Sequence, residues 1–172
     1  PNDPTFSPRA FPGFVLFPQS LKGWGPASQV EDAIRILRLI IKKYNIDESR
    51  VYIHGLSNGG GGVYVALKRA PWLFAAALPM SAVYDGGVIG HGAAPEVAKL
   101  PLWVFQGGQD INPTPSQTYN YIRTFNKEGA NVRYNLYPNL GHGTWNTAFA
   151  EPDFFSWILK QRKYNPHVKF GN

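Results

Sequence analysis

Short apolar runs alternate along the chain with segments in which apolar residues recur every three or four positions. Short runs rich in β-branched and aromatic residues are typical of strands buried in a sheet, and the longer spacing is typical of helices with one buried face. Strands are predicted at residues 13–19, 50–55, 73–81, 101–110 and 131–138. Helices are predicted at residues 28–45, 57–69, 114–129 and 152–163.

The helix boundaries carry recognisable signals. Ser28 and Glu31 have the spacing of a capping box at the start of the longest helix. Pro71 ends the next helix and Gly129 stops the third, because proline and glycine interrupt helical backbone. Because strands and helices keep alternating, the predicted fold class is α/β, with a mostly parallel sheet that carries helices on both faces.

The 172 residues are predicted to form one domain with irregular ends. Residues 1–12 are rich in proline and contain no apolar run, so they are predicted to be an irregular lead-in. Residues 13–164 are predicted to be the α/β domain, and residues 165–172 its C-terminal tail. The sequence of the domain contains no internal repeat and no low-complexity linker.

The composition excludes several kinds of chemistry. The chain has no cysteine, which rules out disulfides, thiolate zinc sites and a cysteine nucleophile. Its four histidines are scattered with no acidic pair at ligand spacing, so no metal ion or other cofactor is predicted. The net charge of +6 suggests nucleic acid, but the basic residues do not cluster, so no nucleic-acid partner is predicted. No apolar run approaches the ~20 residues of a membrane span.

One segment, GLSNG at residues 55–59, fits the pattern Gly-x-Ser-x-Gly and lies between a predicted strand and a predicted helix. In that setting a sharp turn presents the serine hydroxyl at the carboxyl edge of the sheet, and small residues are needed where the strand and helix backbones nearly meet. Ser57 is therefore predicted to be a nucleophile, and the backbone N–H of Asn58 one donor of an oxyanion hole. Glycines 60–62 are predicted to let the helix pack close to neighbouring strands. The alternative is a glycine-rich turn with an incidental serine.

A serine hydroxyl needs a base to become nucleophilic, so an acid and a histidine should follow it along the chain. Asp110 ends the segment LWVFQGGQD and His142 follows the strand NVRYNLYP, so both are predicted at the carboxyl edge of the sheet, where such folds place their sites. Asp85 is a rival acid, because it also follows a predicted strand. The other three histidines fit less well, since they fall inside a strand, in a loop before the acid strand and in the tail. These are His54, His91 and His167.

With these residues in place, the chain resembles an α/β-hydrolase. Within that fold it is similar to esterases of the feruloyl and acetylxylan group, to polyhydroxybutyrate depolymerase-like proteins and to related predicted peptidases. The resemblance is carried by RVYIHGLSNGGGGVYVALKRAPWLFAAALPMSA, by LPLWVFQGGQD and by NVRYNLYPNLGHGTWNTAFAEPDFFSWILKQRK. It implies that Ser57, Asp110 and His142 are nucleophile, acid and base. It also implies a secreted or periplasmic location.

Three features depart from the resemblance. Asn58 stands where relatives commonly have methionine, and it puts a polar group beside the nucleophile that is expected to alter substrate fit. Gln106 stands where relatives often have histidine, and neither change is expected to touch the triad. The relatives also place a further strand, whose loop gives the second oxyanion N–H, ahead of the segment matched here by residues 13–19. The chain therefore resembles only the carboxyl-terminal two thirds of the fold, and a missing N-terminal segment of the same polypeptide is expected as a partner.

The residues and the resemblance together predict a serine hydrolase that cleaves carboxylic esters through an acyl-enzyme. The expected substrate is a small-molecule or polysaccharide ester, such as a feruloyl or acetyl ester of a plant polysaccharide, because aromatic rings flank the proposed site. Those rings belong to Trp24, Tyr84 and Trp145, which equally suit packing inside loops. Two alternatives stay open: a serine peptidase of the prolyl-oligopeptidase-like type, and a catalytically inactive carbohydrate-binding or assembly domain.

Overall fold

The computed structural model of the chain describes residues 13–82 and 95–163. Four parallel strands form one sheet in the order β1-β2-β3-β4. The strands are β1 (Tyr52–Leu56), β2 (Ala76–Met80), β3 (Leu102–Gly107) and β4 (Val132–Tyr137). The helices are α1 (Ala27–Tyr44), α2 (Asn58–Arg69), α3 (Pro95–Ala98), α4 (Pro115–Lys127), α5 (Trp145–Phe149) and α6 (Phe154–Lys160). Single 3-10 turns lie at Glu48–Arg50 and Pro71–Leu73.

Helices cover both faces of the sheet. Successive side chains of a strand point to opposite faces, and the two central strands divide their residues in this way. Ala77 and Leu102 pack in a core with side chains of α1, α2 and α4, whereas Leu78 and Trp103 pack in a second core with α5 and α6. Burial on both faces explains why β2 and β3 are continuously apolar in the sequence. The predicted fold class, a mostly parallel α/β sheet with helices on both faces, is confirmed.

Capping signals were only partly informative about helix starts. The capping box predicted at Ser28 and Glu31 is wrong, because α1 begins at Ala27 and Ser28 is already inside the helix. A capping box does form at the start of α4, where the Thr114 side chain accepts from Gln117 N–H and the Gln117 side chain accepts from Thr114 N–H. That reciprocal pair supplies partners for two main-chain donors that a helix start leaves unpaired.

The strand predicted at residues 13–19 is wrong. Residues 14–20 form no regular secondary structure, and the rings of Phe14 and Phe17 are 68% and 75% exposed. Because β1 is an edge of the sheet, no strand among the described residues offers this segment main-chain partners. An apolar run alone does not make a strand, since strands are stabilised by hydrogen bonds and side-chain contacts across a neighbour.

Smaller differences concern element ends. β2 begins at Ala76, later than predicted, because residues 71–73 form a 3-10 turn, and the last helix ends at Lys160. The short helix α5 was not predicted. The lead-in at 1–12 and the tail at 165–172 lie outside the described residues, so the domain boundaries stay predictions. In the two described stretches, no helix is long and apolar enough to cross a membrane.

The register of the sheet brings all four carboxyl ends to one edge. Leu56 is paired with Met80, Met80 with Phe105, and Gly107 with Tyr137. The residues that follow the strands in sequence therefore meet on one side of the molecule. These are the segments 57–58, 81–82, 108–113 and 138–144.

Candidate active site

Ser57 occupies the sharp turn between β1 and α2. Its backbone has φ 52° and ψ −118°, a positive-φ conformation that residues other than glycine adopt only under strain. The turn is held from two sides. The Ser57 N–H donates to the Met80 carbonyl at 2.9 Å, and the Ser57 carbonyl accepts from the Gly61 N–H at 3.0 Å. This strained turn fixes the serine at the carboxyl edge of the sheet.

The glycines nearest this turn are required by close packing of α2 against β1 and against the residues that follow β2. A Cβ atom on Gly55 would lie 2.3 Å from the Gly59 carbonyl oxygen, and one on Gly60 would lie 2.6 Å from Ala82 Cβ. Interiors packed at crystal density cannot absorb such overlaps, so a larger residue would push α2 away from the sheet. A Cβ atom on Gly59 itself would meet nothing closer than 4.0 Å, so Gly59 contributes its backbone to the contact. The glycine run is therefore a packing feature and not a linker.

The loop that contains Trp24 packs against α2. A Cβ atom on Gly62 would lie 2.7 Å from Trp24 Cβ, so this glycine lets the indole side chain lie against the helix. The main-chain N–H of Trp24 donates a hydrogen bond of 2.7 Å to Asn58 Oδ1. The polar side chain of Asn58 is therefore bonded to this loop, and its predicted effect on substrate fit stays a prediction.

The structure brings Ser57, His142 and Asp110 together in one hydrogen-bonded relay. The distance from Ser57 Oγ to His142 Nε2 is 2.7 Å, and that from His142 Nδ1 to Asp110 Oδ2 is 2.9 Å. An ionised carboxylate can only accept, so Nδ1 carries the proton and Nε2 is left to accept from the serine hydroxyl. The Asp110 side chain is 1% exposed and the His142 side chain 39%. This arrangement can move a proton from the serine to the histidine, with the charge held by a buried acid. The catalytic roles of the three residues stay a prediction.

The turn that carries the acid is packed directly on the loop that carries the histidine. A Cβ atom on Gly107 would lie 1.9 Å from the Gly141 carbonyl oxygen, and one on Gly108 would lie 2.7 Å from Pro138 Cα. The Gln109 N–H donates to the Leu140 carbonyl at 2.8 Å. The two glycines of the GGQD segment therefore allow the acid turn and the histidine loop to approach each other.

Asp110 is held by two further donors, one of which the sequence did not indicate. The Asn112 N–H donates to Asp110 Oδ1 at 3.0 Å. The Gln106 side chain donates from Nε2 to Asp110 Oδ2 at 3.2 Å. The expectation that the glutamine at this position leaves the triad untouched is therefore wrong. The sequence signal that could have pointed to Gln106 was an amide side chain inside an otherwise apolar strand.

A buried pair of hydroxyls ties the histidine loop to the end of β2. Ser81 Oγ lies 2.8 Å from Thr144 Oγ1, and both side chains are buried. The Thr144 N–H donates to the His142 carbonyl at 3.0 Å, so the hydroxyl pair is connected to the main chain of the predicted base. Ser81 has a positive φ of 42°, the second strained serine at this edge. Sequence reasoning missed both residues, because a serine after a strand is also typical of an ordinary turn.

The predicted oxyanion donor is the backbone N–H of Asn58. Asn58 is the first residue of α2, so its N–H has no partner within the helix. The N-terminus of a helix also carries partial positive charge, which favours a developing anion. The oxyanion role of Asn58 stays a prediction, and no second donor is assigned.

The predicted aromatic residues divide into those near the relay and one that lies outside the described residues. The Trp145 ring stands edge-on to His142, with 6.2 Å between ring centroids. Trp24 lies beside α2 and is bonded to Asn58, next to the nucleophile. Tyr84 and the rival residues Asp85, His91 and His167 lie outside the described residues. His54 lies in β1, edge-on to Phe149.

In residues 13–82 and 95–163, no group of three or more histidine, aspartate or glutamate side chains is placed to hold a metal ion. At the site, His142 is in close contact with the carboxylate of Asp110. That bond uses Nδ1, and Nε2 is engaged with the serine hydroxyl.

Comparisons with known proteins were made against sequences and structures. The sequence profile of the prolyl oligopeptidase family matches residues 17–87, a range that includes Ser57. A search of curated proteins found no match. Among solved structures, a thermostable esterase superposes with a TM-score of 0.71 and 26% identity, covering 81% of this chain and 41% of the esterase.

Two further solved structures share the fold at lower identity. SOBER1 from Arabidopsis thaliana has a TM-score of 0.60 and 21% identity, over 78% of this chain and 65% of its own. An acylaminoacyl peptidase from Pyrococcus horikoshii has a TM-score of 0.63 and 16% identity, over 82% of this chain and 29% of its own. This chain thus spans about two fifths of the esterase and just under two thirds of SOBER1. The chain has an α/β-hydrolase fold of the kind found in esterases and related peptidases, and the resemblance drawn from its sequence is confirmed at the level of the fold.

Proposed function

We propose that this chain carries the catalytic core of a serine hydrolase that cleaves carboxylic esters. The observation that supports the proposal most directly is the unbroken relay from Ser57 through His142 to Asp110, with both hydrogen bonds at 2.9 Å or less. The strained backbone at Ser57 adds to it, because such strain concentrates at functional sites. The esterases and peptidases among the structural neighbours are hydrolases by name, which agrees with this class.

The mechanism is a two-step acyl transfer. His142 Nε2 takes the proton of the Ser57 hydroxyl as the oxygen attacks the ester carbonyl carbon, and the Asn58 N–H stabilises the oxyanion that forms. The tetrahedral intermediate collapses, the C–O bond to the alcohol breaks, and His142 gives its proton to the leaving oxygen. Water then attacks the acyl-enzyme with His142 again as base, and the acid is released. Asp110 stays anionic throughout and orients the imidazole.

The proposed substrates are esters with a planar acyl or sugar group, of which feruloyl and acetyl esters of plant polysaccharides are the leading examples. The Trp145 ring stands edge-on to His142, and the main chain of Trp24 is bonded to Asn58, the residue after the nucleophile. Aromatic surfaces suit phenolic rings and the faces of sugars. Comparing methyl ferulate with p-nitrophenyl acetate tests the acyl preference, because only the first carries an aromatic acid. The secreted or periplasmic location stays a prediction of the same resemblance.

A serine peptidase is the second candidate, since the same relay cleaves amides. The match to the prolyl oligopeptidase family over residues 17–87 favours it, as does the acylaminoacyl peptidase among the neighbours. Hydrolysis of peptide anilides faster than of p-nitrophenyl acetate would support the peptidase. An inactive carbohydrate-binding or assembly domain would cleave neither and would bind sugar equally well after Ser57→Ala.

Labelling with a fluorophosphonate tests the core of the proposal without a guess about the substrate. The unmodified protein is expected to be labelled on Ser57, and removal of one relay residue is expected to slow the reaction by several orders of magnitude. Ser116→Ala is the matched control, because Ser116 is an exposed serine of α4 with no contact to the relay. Folded protein that is not labelled even when the preceding segment is supplied in the same polypeptide, or that is labelled equally after Ser57→Ala, would remove the serine hydrolase from consideration.

We also propose that a strand from another segment of the same polypeptide pairs with β1. The Val51 carbonyl accepts from Ala75 and the Ser57 N–H donates to Met80, so odd-numbered residues of β1 bond to β2. The main-chain groups of residues 52, 54 and 56 therefore point to the other edge. No strand among the described residues borders that edge. The proposed segment would also bring the second oxyanion N–H.

Native mass spectrometry combined with labelling tests this partner. Intact 172-residue chains that are monomeric, stably folded and fully reactive would contradict it. Weak reactivity of the chain alone, restored when the preceding segment is supplied in the same polypeptide, is the expected result. A strand added without restored reactivity would contradict the oxyanion part.

A further inference from the structure

The side chain of Gln106 lies completely buried at the end of β3, directly beneath the acid of the relay. Its Nε2 lies 2.9 Å from the Pro113 carbonyl oxygen, 3.1 Å from the Gly107 carbonyl oxygen and 3.2 Å from Asp110 Oδ2, so its two N–H groups are shared among three acceptors. Its Oε1 accepts from the Thr118 hydroxyl at 2.7 Å. Both ends of one amide are therefore used, and the donor end faces three oxygen acceptors.

The surroundings fix which end of the amide faces the acid. If the amide were reversed, Oε1 would face a carboxylate and two carbonyl oxygens. None of these oxygens can donate a hydrogen bond, so no bond would form among them. The Thr118 hydroxyl on α4 would then lose its acceptor and face an N–H donor. A buried polar group without a partner costs more than a satisfied bond gains, so the observed orientation is strongly preferred. Thr118 and the Pro113 carbonyl thereby hold the donor end of Gln106 at the acid.

Resting on the serine hydrolase proposed above, we propose that Gln106 is a positioning residue for Asp110. The Asn112 N–H fixes Oδ1 and the Gln106 amide fixes Oδ2, so rotation of the carboxylate is blocked from both sides. Oδ2 is then held at the point where it accepts from His142 Nδ1. The side chain of Gln106, on the strand that precedes the acid, thus orients the Asp110 carboxylate. Its amide group is uncharged, and this does not change with pH.

Two substitutions separate this role from simple filling of space. Gln106→Met keeps a side chain of similar length and removes both N–H donors. Gln106→Glu keeps an oxygen acceptor for Thr118 and places a carboxylate against Asp110, where like charges disfavour each other. Tyr137→Phe is the matched control, because it removes a 2.7 Å hydrogen bond to Glu151 from β4 and leaves the acid untouched.

The experiment measures kcat and KM for p-nitrophenyl acetate, the fluorophosphonate labelling rate and the far-downfield proton resonance of His142 Nδ1–H. The resonance is assigned by its absence in His142→Gln, and it reports the bond to Asp110 even if turnover is slow. Gln106→Met is expected to lower kcat about 10- to 100-fold, as for the loss of a hydrogen bond to a charged group, with KM little changed. The resonance should shift or broaden. Gln106→Glu should lower kcat further, and Tyr137→Phe should change neither.

The outcomes distinguish this inference from the proposed function. An unmodified protein that is folded but unlabelled even with the preceding segment supplied refutes the hydrolase, while the resonance still tests the positioning of Asp110. A labelled, folded Gln106→Met protein with wild-type kcat and an unchanged resonance overturns the positioning role. If Gln106→Met fails to fold, Thr118→Val decides, because it removes only the hydroxyl that orients the amide. A smaller loss of kcat with a shifted resonance supports the role, and wild-type values for both overturn it.

Discussion

Gly107→Ala should damage the active site through one identifiable collision. The added Cβ atom would lie 1.9 Å from the Gly141 carbonyl oxygen, and real Cβ contacts essentially never fall below 3.0 Å. The acid turn and the histidine loop must therefore separate by about 1 Å. His142 directly follows Gly141, so its imidazole should move with the loop. Neither hydrogen bond of the relay, now 2.7 Å and 2.9 Å, would survive a displacement of that size in its present geometry.

The magnitude follows from the displacement. A misplacement of 1 Å at a reacting group costs about 100-fold in rate, and overpacking in a close-packed region costs about 1–3 kcal/mol of stability. The fluorophosphonate labelling rate measures the first quantity, and urea unfolding measures the second. Ester turnover should fall in parallel with labelling, because both depend on the same serine and base.

Gly141→Ala is the matched control for this prediction. Gly141 is the partner in the same contact, but a Cβ atom built on it meets nothing within 4 Å. Its variant should therefore keep a labelling rate and an unfolding midpoint close to those of the wild type. If Gly141→Ala is as harmful as Gly107→Ala, or if Gly107→Ala is harmless, the close approach of the two loops is not what makes the glycine necessary.

Single contacts elsewhere give three further expectations. Asn58→Leu removes the acceptor of the Trp24 N–H, so limited proteolysis should cut that loop faster, whereas Asn58→Asp keeps an acceptor oxygen and should resist like the wild type. Ser81→Ala leaves the buried Thr144 hydroxyl without its partner and should lower the free energy of unfolding in urea by about 1–3 kcal/mol, and an unchanged midpoint would count against it. The pKa of Asp153 lies below its ordinary value of 3.8, chiefly because its arginine partner on β4 donates hydrogen bonds to the carboxylate. The stabilisation is present above pH 3.8 and is lost as the pH falls through the lowered pKa. In Asp153→Asn, the free energy of unfolding should therefore fall less steeply at acid pH than in the wild type. Equal acid dependence in the two proteins would refute the link.

The sequence was most informative where local pattern and topology act together. The strand, serine turn and glycine-rich helix at residues 52–69 form as the pattern predicts. The acid and the base could be sought just after later strands because parallel strands end at one edge, a rule that admits Asp85 as well as Asp110. The predicted proximity of the three side chains thus rested on strand order and did not require knowledge of the loops.

The parts that sequence reasoning missed depend on partners that are distant along the chain. Gln106 holds Asp110 only because α4 supplies a hydroxyl to orient the amide, and no local pattern encodes that meeting. The segment at 13–19 has the apolar run of a strand, but no strand within residues 13–82 and 95–163 pairs with it. The five residues of α5 are too few to show helical periodicity.

On one side of β1 no strand of the described residues is paired, and the rings of Phe14 and Phe17 are exposed, which has a practical consequence for handling the protein. Unpaired strand edges and exposed apolar patches are templates for aggregation. Solubility should therefore fall steeply with concentration, and light scattering should rise before any loss of helical signal. The fraction of chains with a reactive serine, titrated at several dilutions, would distinguish aggregated molecules from molecules that are chemically inert. Working dilute, or adding a short extended peptide that saturates the edge, should recover the aggregated fraction.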